Sequence, residues 1–433
     1  MSQNLAPEEY SGLVFSNLTQ LRRWLILLLL SFGIMIAFID RTSISTALAD
    51  HKFNAYFGLD PVARGWIGSA FFWSYGIAQM GAGWIVDRYG VKIPYAICFF
   101  VWGLAVALTG TVSSFTLLIV MRLIIGFAEA VVIPGTYRYI KDNFDDKWNG
   151  TTTGLTTLGN KFGPAFGAPV AAYLIVHYDW RVMFIVTAVI GLLWLIPWML
   201  FARNDFPKGK VAKKAKQESA NSVSFGAILV SPLIWGTMII NFCYGYFTFF
   251  CMTWMPSYLV EAHGLSLQRS AIFTFVSFAG IATMSILTGF IADRIIARGG
   301  DPVITRKIFI TIGFLGACTV LLGATSRSVD MALFWNVTSL TVLGFTTANN
   351  LALCRLTLIP KEAVGLATGV TQVATAFAGG SSSALSGWFL QISGGYMLPM
   401  FIIFIFLLIG AATTWLLLRP QYAPKVRLRS VTR

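Results

Sequence analysis

The 433-residue sequence has few charged residues, and their scarcity excludes most classes of protein. Only 12% of the residues are Asp, Glu, Lys or Arg, whereas 56% are hydrophobic. A soluble globular protein carries about 25% charged residues, so this chain cannot cover the surface of a soluble protein of its size. Its apolar stretches run for about 20 residues instead of alternating over about 10, which excludes a transmembrane β-barrel. An all-α polytopic membrane protein remains.

Residues that could hold a metal or form disulfides are also few. The five cysteines all lie inside apolar segments and lack the spacing of a metal site or a disulfide framework. The three histidines, His51, His177 and His263, lie in predicted loops, whereas a membrane-embedded metalloenzyme needs clustered ligands within its spans. We therefore expect no enzymatic activity, no metal site and no cofactor beyond a coupling ion, for which the proton is the first candidate.

Hydropathy predicts twelve membrane-spanning helices, since each span needs about 20 apolar residues. The predicted spans are 24–46, 62–86, 92–112, 114–139, 151–177, 180–203, 225–262, 268–295, 305–326, 330–358, 361–391 and 396–418. A basic linker at 204–224 divides them into two six-helix bundles, 24–203 and 225–418. An N-terminal segment, 1–23, and a basic tail, 419–433, flank the bundles.

The distribution of basic residues predicts the orientation of the chain. Most of the 32 Lys and Arg residues lie on the side that holds both predicted terminal segments. Cytoplasmic loops carry the excess of Lys and Arg, so both termini are predicted to be cytoplasmic. Orientation in the membrane therefore explains the net charge of +14 better than nucleic-acid binding does. The short loops favour a bacterial inner membrane, with lipid as the surrounding partner, and a monomer is the expected state.

Two short sequence matches relate the halves to each other. They are Gly83-Trp-Ile-Val-Asp87-Arg88 with Gly289-Phe-Ile-Ala-Asp293-Arg294, and Gly154-Leu-Thr-Thr with Gly365-Leu-Ala-Thr. The first pair ends spans 2 and 8, and the second lies in spans 5 and 11. A duplication of six plus six spans is typical of transporters that rock two pseudo-symmetric halves about a site near the membrane midplane.

The sequence also resembles a known family. Gly83-x3-Asp87-Arg88-x-Gly90-x-Lys92 resembles the signature loop between helices 2 and 3 of the major facilitator superfamily. Three further stretches are similar to its anion:cation symporter branch: Asp40-Arg41, Arg122-x3-Gly126-x2-Glu129 and Thr253-Trp-Met-Pro-Ser-Tyr-Leu259. The resemblance implies the major facilitator fold. It also implies alternating-access import, by proton symport, of a small organic anion such as a sugar acid, a dicarboxylate or a sulfocarboxylate.

Five charged residues lie within the predicted spans of the first half: Asp40, Arg41, Arg122, Glu129 and Lys161. A charge at the bilayer centre costs at least ~2.5 kcal/mol, so each is a functional candidate. The resemblance implies that Asp40 and Glu129 couple protons and that Arg41 binds the acidic group of the substrate. Arg122 shares a helix face with Glu129 and can influence its protonation, although an ion pair that only joins helices is the alternative.

Lys161 lies near the middle of span 5 and has two open interpretations. It either neutralises Glu129 or Asp40, or it supplies a second cation for the substrate. In the second case, two cations at different depths predict a substrate with two acidic groups, or with one acid and a polar group. The offset between spans 5 and 11 relates Lys161 to Gln372, and the resemblance implies that Asn160 contacts substrate.

Neutral polar residues in the spans are further candidates for substrate binding. They are Tyr75 and Gln79 in span 2, with Asn241, Tyr244, Asn349 and Asn350 in the second half. At the cytoplasmic ends, the resemblance implies a gate in which Asp87 pairs with Arg138. By the repeat, Asp293 pairs with Arg355, and Arg88 and Arg294 belong to the same gate segments.

Two alternative functions stay open at this stage. The segment Gly150-x8-Gly159-x3-Gly163-Pro164-x2-Gly167-Ala168 is similar to the helix-5 motif of proton-driven drug antiporters, which would make the protein an exporter. The same small residues would also let helices 5 and 8 pack closely. A membrane sensor that does not transport is the other alternative.

Overall fold

The computed structural model describes residues 7–144, 148–202, 225–326, 328–359 and 364–424. These residues form helices joined by short loops. The predicted linker at 204–224, residues 1–6 of the N-terminal segment and residues 425–433 of the predicted tail lie outside the described residues.

Six long helices form the first half. They are α1 (Pro7–Leu48), α2 (Pro61–Tyr89), α3 (Lys92–Thr109), α4 (Phe115–Glu129, continued as Val132–Asn143), α5 (Asn149–His177) and α6 (Trp180–Leu193, continued as Leu195–Phe201). A short helix, His51–Phe57, connects α1 to α2. The helix α1 begins well before residue 24, because hydropathy detects only its apolar part and the helix continues into polar sequence.

Six more long helices form the second half. They are α7 (Pro232–Thr253, continued as Met255–Glu261), α8 (Leu267–Ala297), α9 (Pro302–Ala317, continued as Val320–Thr325), α10 (Val329–Ala352, followed by a π-helical turn, Leu353–Thr357), α11 (Val364–Ser393) and α12 (Met397–Leu416). The prediction of one continuous span over 225–262 was wrong. A separate helix, Phe225–Val230, precedes α7, and Pro232 and Pro256 each lie in the first turn of a new helix, where proline is tolerated.

Short polar side chains fix the starts of several helices. Each accepts a hydrogen bond from a backbone N–H group of the first turn, which has no partner inside the helix. These residues are Asp60 for α2, Ser114 for α4, Asp179 for α6, Ser266 for α8 and Asp301 for α9.

Nine helices of the described part of the chain are long and apolar enough to cross a membrane. The helices α2, α5 and α11 are of comparable length but are not among the nine, because they contain many Gly, Ser and Thr residues. These three helices lie at the contact between the halves, where small residues allow close approach. That all twelve helices cross the membrane stays a prediction for these three.

The glycines of α5 pack against α1. A Cβ atom on Gly159 would clash with the backbone of Ser31, and one on Gly163 would clash with Phe38. The motif therefore serves two contacts, because helices 5 and 8 also pack closely, as expected. The alanines of α5 do contact α8, since Ala168 clusters with Ala271.

The two halves converge at one end of the molecule and diverge at the other. The end that holds Asp60 and Glu261 is termed the outer end, and the end that holds Asp87 and Asp293 the inner end, following the predicted orientation. At the outer end, Gly65 of α2 leaves space for the backbone of Ser383 in α11.

Towards the inner end, the same two helices separate. A Cβ atom on Gly76 would still lie 3.1 Å from Ala376, whereas one on Gly83 or Gly369 would meet no atom within 4 Å. Because Gly76 and Gly83 lie two turns apart on one face of α2, the loss of contact shows that the helices diverge. Across the described residues, the two halves are therefore in contact at the outer end and apart at the inner end.

We expect Gly159→Ala to destabilise the protein, because the added methyl group would meet the Ser31 backbone. Overpacking of this kind costs about 1–3 kcal/mol. Gly154→Ala is the matched control, since a Cβ atom there meets nothing within 4 Å and alanine favours helix. Thermal unfolding of the purified protein in detergent would measure both. Equal melting temperatures for the two variants would contradict the close α1–α5 contact.

Candidate substrate and ion-coupling site

A cavity lies between the two halves and is lined by α1, α2, α4 and α7. Its lining residues are Arg41, Ile44, Ser45, Gly68, Phe71, Phe72, Arg122, Met252 and Thr253. The first half contributes both charged residues of this lining, and both are cations. Phe71 lies between them, with its ring centroid 4.7 Å from the Arg41 guanidinium carbon and 4.9 Å from that of Arg122.

Arg41 forms a buried ion pair with Glu129. Its Nε donates to Glu129 Oε1 at 2.7 Å, and its Nη2 contacts the same oxygen. Glu129 is the last residue of the first α4 segment and is fully buried. Its other carboxylate oxygen has no hydrogen-bond partner among the described residues. Glu129 therefore holds Arg41 through one oxygen and keeps the other available.

Arg122 is a buried cation without an acidic partner among the described residues. Its Nε donates to the backbone oxygen of Ile67 at 3.3 Å, and its side chain is 4% exposed. The seven-residue spacing predicts that Arg122 and Glu129 share one helix face, but Glu129 forms its ion pair with Arg41 of α1. Periodicity within α4 could not reveal this contact, because it depends on how α1 packs against α4.

Asp40 is not among the residues that line the cavity. Its carboxylate accepts a hydrogen bond from Trp102 Nε1 of α3 at 2.7 Å, so it points into the first bundle. Adjacent helical residues do not share a face, which is why Arg41 faces the cavity and Asp40 does not. The structure thus gives the two predicted proton-coupling acids different hydrogen-bond partners, and the coupling role of each stays a prediction.

Lys161 contacts the second half of the protein. Its Nζ donates to the Tyr244 hydroxyl at 3.0 Å, and Lys161 is 7% exposed. It forms no ion pair with Glu129 or Asp40, so neutralisation of these acids, one of the two interpretations, is not what the structure shows. Asn160 beside it is half-buried, and Gln372 accepts a hydrogen bond from Thr375 of its own helix.

Polar side chains of α7 and α10 form two hydrogen-bonded pairs, one helical turn apart. The Tyr244 hydroxyl lies 2.9 Å from Thr347 Oγ1, and Asn350 Nδ2 donates to Asn241 Oδ1 at 3.0 Å. All four side chains are half-buried. We term these four residues the α7–α10 polar strip.

Asn349 has a setting that differs from the prediction. It is fully buried, donates to the Phe345 backbone and accepts a hydrogen bond from Arg306 Nη1 at 3.4 Å. It therefore connects α10 to α9 inside the second half, because its position on α10 is rotated by about 100° from that of Asn350. In the first half, Tyr75 accepts a hydrogen bond from Gln79 at 3.1 Å.

Three ion pairs lie at the inner end among the described residues, each within one half. Arg138 contacts Asp87 and also Asp142, at 2.6 Å. Asp293 pairs with Arg306 of α9 at 2.6 Å. The predicted partner Arg355 lies in the π-helical turn, and its side chain is outside the described part. The sequence repeat could not identify Arg306, because a partner on a neighbouring helix has no fixed spacing.

The other two predicted gate residues face away from these pairs. Arg88 is exposed and lies over the rings of Trp84 and Tyr89, at 5.4 and 5.7 Å. Arg294 is also exposed and lies over Phe290 at 4.9 Å. Stacking on aromatic rings of the same helix suits cations at a membrane interface better than a gate between halves.

An ion pair that the sequence did not predict joins the halves at the outer end. Arg64 Nη1 of α2 donates to Glu261 Oε1 of α7 at 2.6 Å, and Tyr396 donates to Glu261 Oε2 at 2.6 Å. Ser257 also donates to the backbone of Leu48 across the halves. The only sequence signal was a charged residue near the end of each span, which does not identify a partner.

Comparison with known proteins gives the family. Residues 30–380 match the family model of the Major Facilitator Superfamily. The chain belongs to this superfamily. It is 26% identical over 405 residues to a probable galactarate/D-glucarate transporter of Bacillus subtilis, covering 86% of this chain and 87% of that protein. A probable sulfoacetate transporter of Cupriavidus necator is 27% identical over 402 residues, covering 90% and 92%.

The fold is shared with solved transporters. A bacterial homologue of the human lysosomal transporter Spinster, solved in an inward-facing and unoccupied conformation, matches with a TM-score of 0.76 at 18% identity. The match covers 92% of this chain and 97% of that one.

We expect the Arg64–Glu261 pair to hold the outer end closed. The remaining guanidinium nitrogens of Arg64 have no hydrogen-bond partner among the described residues, so Glu261 is the main polar contact of this buried cation. Replacing Arg64 by Gln in a Ser45→Cys background should raise labelling of the cavity cysteine by a membrane-impermeant thiol reagent added from the outside.

The control for this experiment is Arg181→Gln. Arg181 is also an outer-end arginine, but it pairs with Asp179 at the start of its own helix. Its labelling should equal that of the Ser45→Cys parent, after subtraction of the signal from the native cysteines. If Arg64→Gln and Arg181→Gln label at the same rate, the pair does not close the outer end.

Proposed function

We propose that the protein is a secondary active transporter that imports a small organic anion together with protons across a bacterial inner membrane. The observation that carries the proposal is the charge of the cavity, which is lined by Arg41 and Arg122, with Glu129 behind it as the buried partner of Arg41. Arginine is suited to bidentate recognition of carboxylates. A buried cation without a partner is costly, so a bound anion would stabilise the site.

The named functions of the relatives support this substrate class. Both relatives described above are named as transporters of acids, one of hexose diacids and one of a sulfonated carboxylic acid. Each match spans most of both chains. Transport of organic anions accounts both for the named substrates of the relatives and for the positive charge of the cavity lining.

The Arg41–Glu129 pair supplies a route for proton coupling. Deprotonated Glu129 holds Arg41, whereas protonation removes the negative charge and leaves the guanidinium free for the anion. The interior of a cell is negative, and moving one charge against 100 mV costs ~2.3 kcal/mol. An importer that accumulates an anion therefore needs a co-transported cation. Binding of the proton and the anion at the same arginine would link the two fluxes.

Alternating access follows from the two ends of the molecule. In the present state the outer end is held by Arg64 and Glu261, and the inner end is open, which suits release into the cytoplasm. The alternative of export by antiport rested on the glycine motif of α5. Packing of Gly159 and Gly163 against α1 accounts for that motif, so it does not favour export. Proton symport and import stay our proposal, with a non-transporting sensor as the outcome if binding occurs without flux.

Replacing Glu129 by Gln should abolish concentrative uptake while sparing exchange. The amide cannot release a proton, so a pH gradient no longer drives accumulation, but Arg41 can still bind the anion. Uptake of radiolabelled galactarate and sulfoacetate into proteoliposomes, with and without a pH gradient, would measure accumulation. Counterflow in preloaded vesicles would measure exchange. We expect the gradient-driven component to fall about tenfold or more.

Asp330→Asn is the matched control, because it neutralises an exposed acid at the outer start of α10. Its accumulation and exchange should equal those of the unmodified protein. Concentrative uptake that survives in Glu129→Gln would remove Glu129 from the coupling mechanism. The absence of any anion flux by the unmodified protein would overturn the proposed function itself.

A further inference from the structure

We propose that Lys161 and the α7–α10 polar strip form a second anion subsite, which selects an extended dianion over a monoanion of the same length. The inference rests on the proposed transport of organic anions and narrows their class. The first acidic group would bind at Arg41 and Arg122, and the second at Lys161.

The chemistry of Lys161 favours an anionic partner. An ammonium group carries three donors, and in the structure one of them reaches the neutral Tyr244 hydroxyl. Lys161 forms no ion pair among the described residues, although it is only 7% exposed. A cation in this setting is costly unless an opposite charge joins it. A carboxylate of the substrate would supply that opposite charge.

The groups around Lys161 can complete such a subsite. Tyr244 and Thr347 present hydroxyls, and Asn241 and Asn350 present amides one turn farther along the same two helices. These residues belong to the second half, whereas Lys161 belongs to the first. An acidic group bound here would therefore contact both halves at once.

The depth of Lys161 sets the length of the ligand. The helices α1 and α5 run parallel in close contact, with Gly159 against Ser31 and Gly167 against Ile39. This register puts Lys161 about eight residues below Arg41, or about 12 Å along the helix axis. The helix α7 gives a similar separation, because Tyr244 lies nine residues before Thr253, which lines the upper cavity.

An extended six-carbon diacid fits this spacing. Its terminal carbons lie about 6 Å apart, and a hydrogen bond adds about 3 Å at each end. A two-carbon anion would reach either the two arginines or Lys161, but not both. The site thus favours a hexaric acid over a short sulfocarboxylate.

Polar side chains near Arg41, towards the inner end, suit a substrate with hydroxyl groups along its chain. The Tyr75 ring centroid lies 5.0 Å from the Arg41 guanidinium carbon, and its hydroxyl bonds to Gln79 one turn nearer the inner end. Hydroxyls along a sugar diacid could hydrogen-bond to these two side chains. The class of substrate inferred is therefore a hydroxylated six-carbon dianion.

The test compares galactarate, with two carboxylates, and galactonate, with one carboxylate on the same carbon chain. Half-saturation would be measured by counterflow in proteoliposomes at equal pH on both sides, which removes the driving force from the comparison. The unmodified protein should prefer galactarate. In Lys161→Met the half-saturation concentration for galactarate should rise about tenfold or more, while that for galactonate changes less than about threefold.

Two further variants separate the charge from structural effects. Lys161→Arg keeps the cation and should retain the preference for galactarate. Lys52→Met removes an exposed lysine at the outer end and should change neither value. Near-normal galactonate exchange in Lys161→Met would show that this variant folds.

Three outcomes would overturn the inference. They are equal loss for both anions in Lys161→Met, no loss for either, and a Lys161→Arg variant that behaves like Lys161→Met. If a Lys161→Met protein of normal thermal stability exchanges neither galactonate nor galactarate, this result also counts as equal loss. Each of these leaves the proposed anion transport intact, whereas absence of flux for every acid in the unmodified protein would refute that transport first.

Discussion

The buried ion pair between Arg41 and Glu129 is the interaction on which the functional architecture depends. It joins α1 to α4 inside the first half and determines whether the cavity presents a free or an occupied guanidinium. Three aromatic rings, those of Phe38, Phe71 and Tyr75, surround the same guanidinium, at 4.3, 4.7 and 5.0 Å. Their faces favour a cation while excluding water, which strengthens every electrostatic interaction at this depth.

The two halves contribute different chemistry to the space between them. The first half supplies the cations and the acid, whereas the second supplies neutral hydroxyls and amides from α7 and α10. Hydrogen bonds across the halves occur at two depths among the described residues, at the outer end and at Lys161 with Tyr244. A substrate bound between the cations and the α7–α10 polar strip would take the place of the direct hydrogen bond between Lys161 and Tyr244. The halves could then stay connected through the substrate while they move, which suits alternating access.

The cost of a charge in the membrane selects candidate residues from the sequence, but it does not identify the residues they contact. Arg41, Glu129 and Lys161 stand out because a charge in an apolar span is expensive, and all three lie at or beside the interface between the halves. The partners differ from those expected: Asp293 contacts Arg306, and Glu129 contacts Arg41. Helix periodicity relates residues on one helix, but contacts between helices depend on their register and rotation.

The sequence by itself determined the class of protein, its helical architecture and the short set of charged residues that are functional candidates. These follow from hydropathy and from the cost of burying charge, which act on each segment separately. The tertiary structure decided which acid meets the cavity-lining arginine, since Asp40 turns to Trp102 and Glu129 to Arg41. It also decided that Lys161 reaches the second half. Both outcomes depend on the packing of distant helices, which no local pattern encodes.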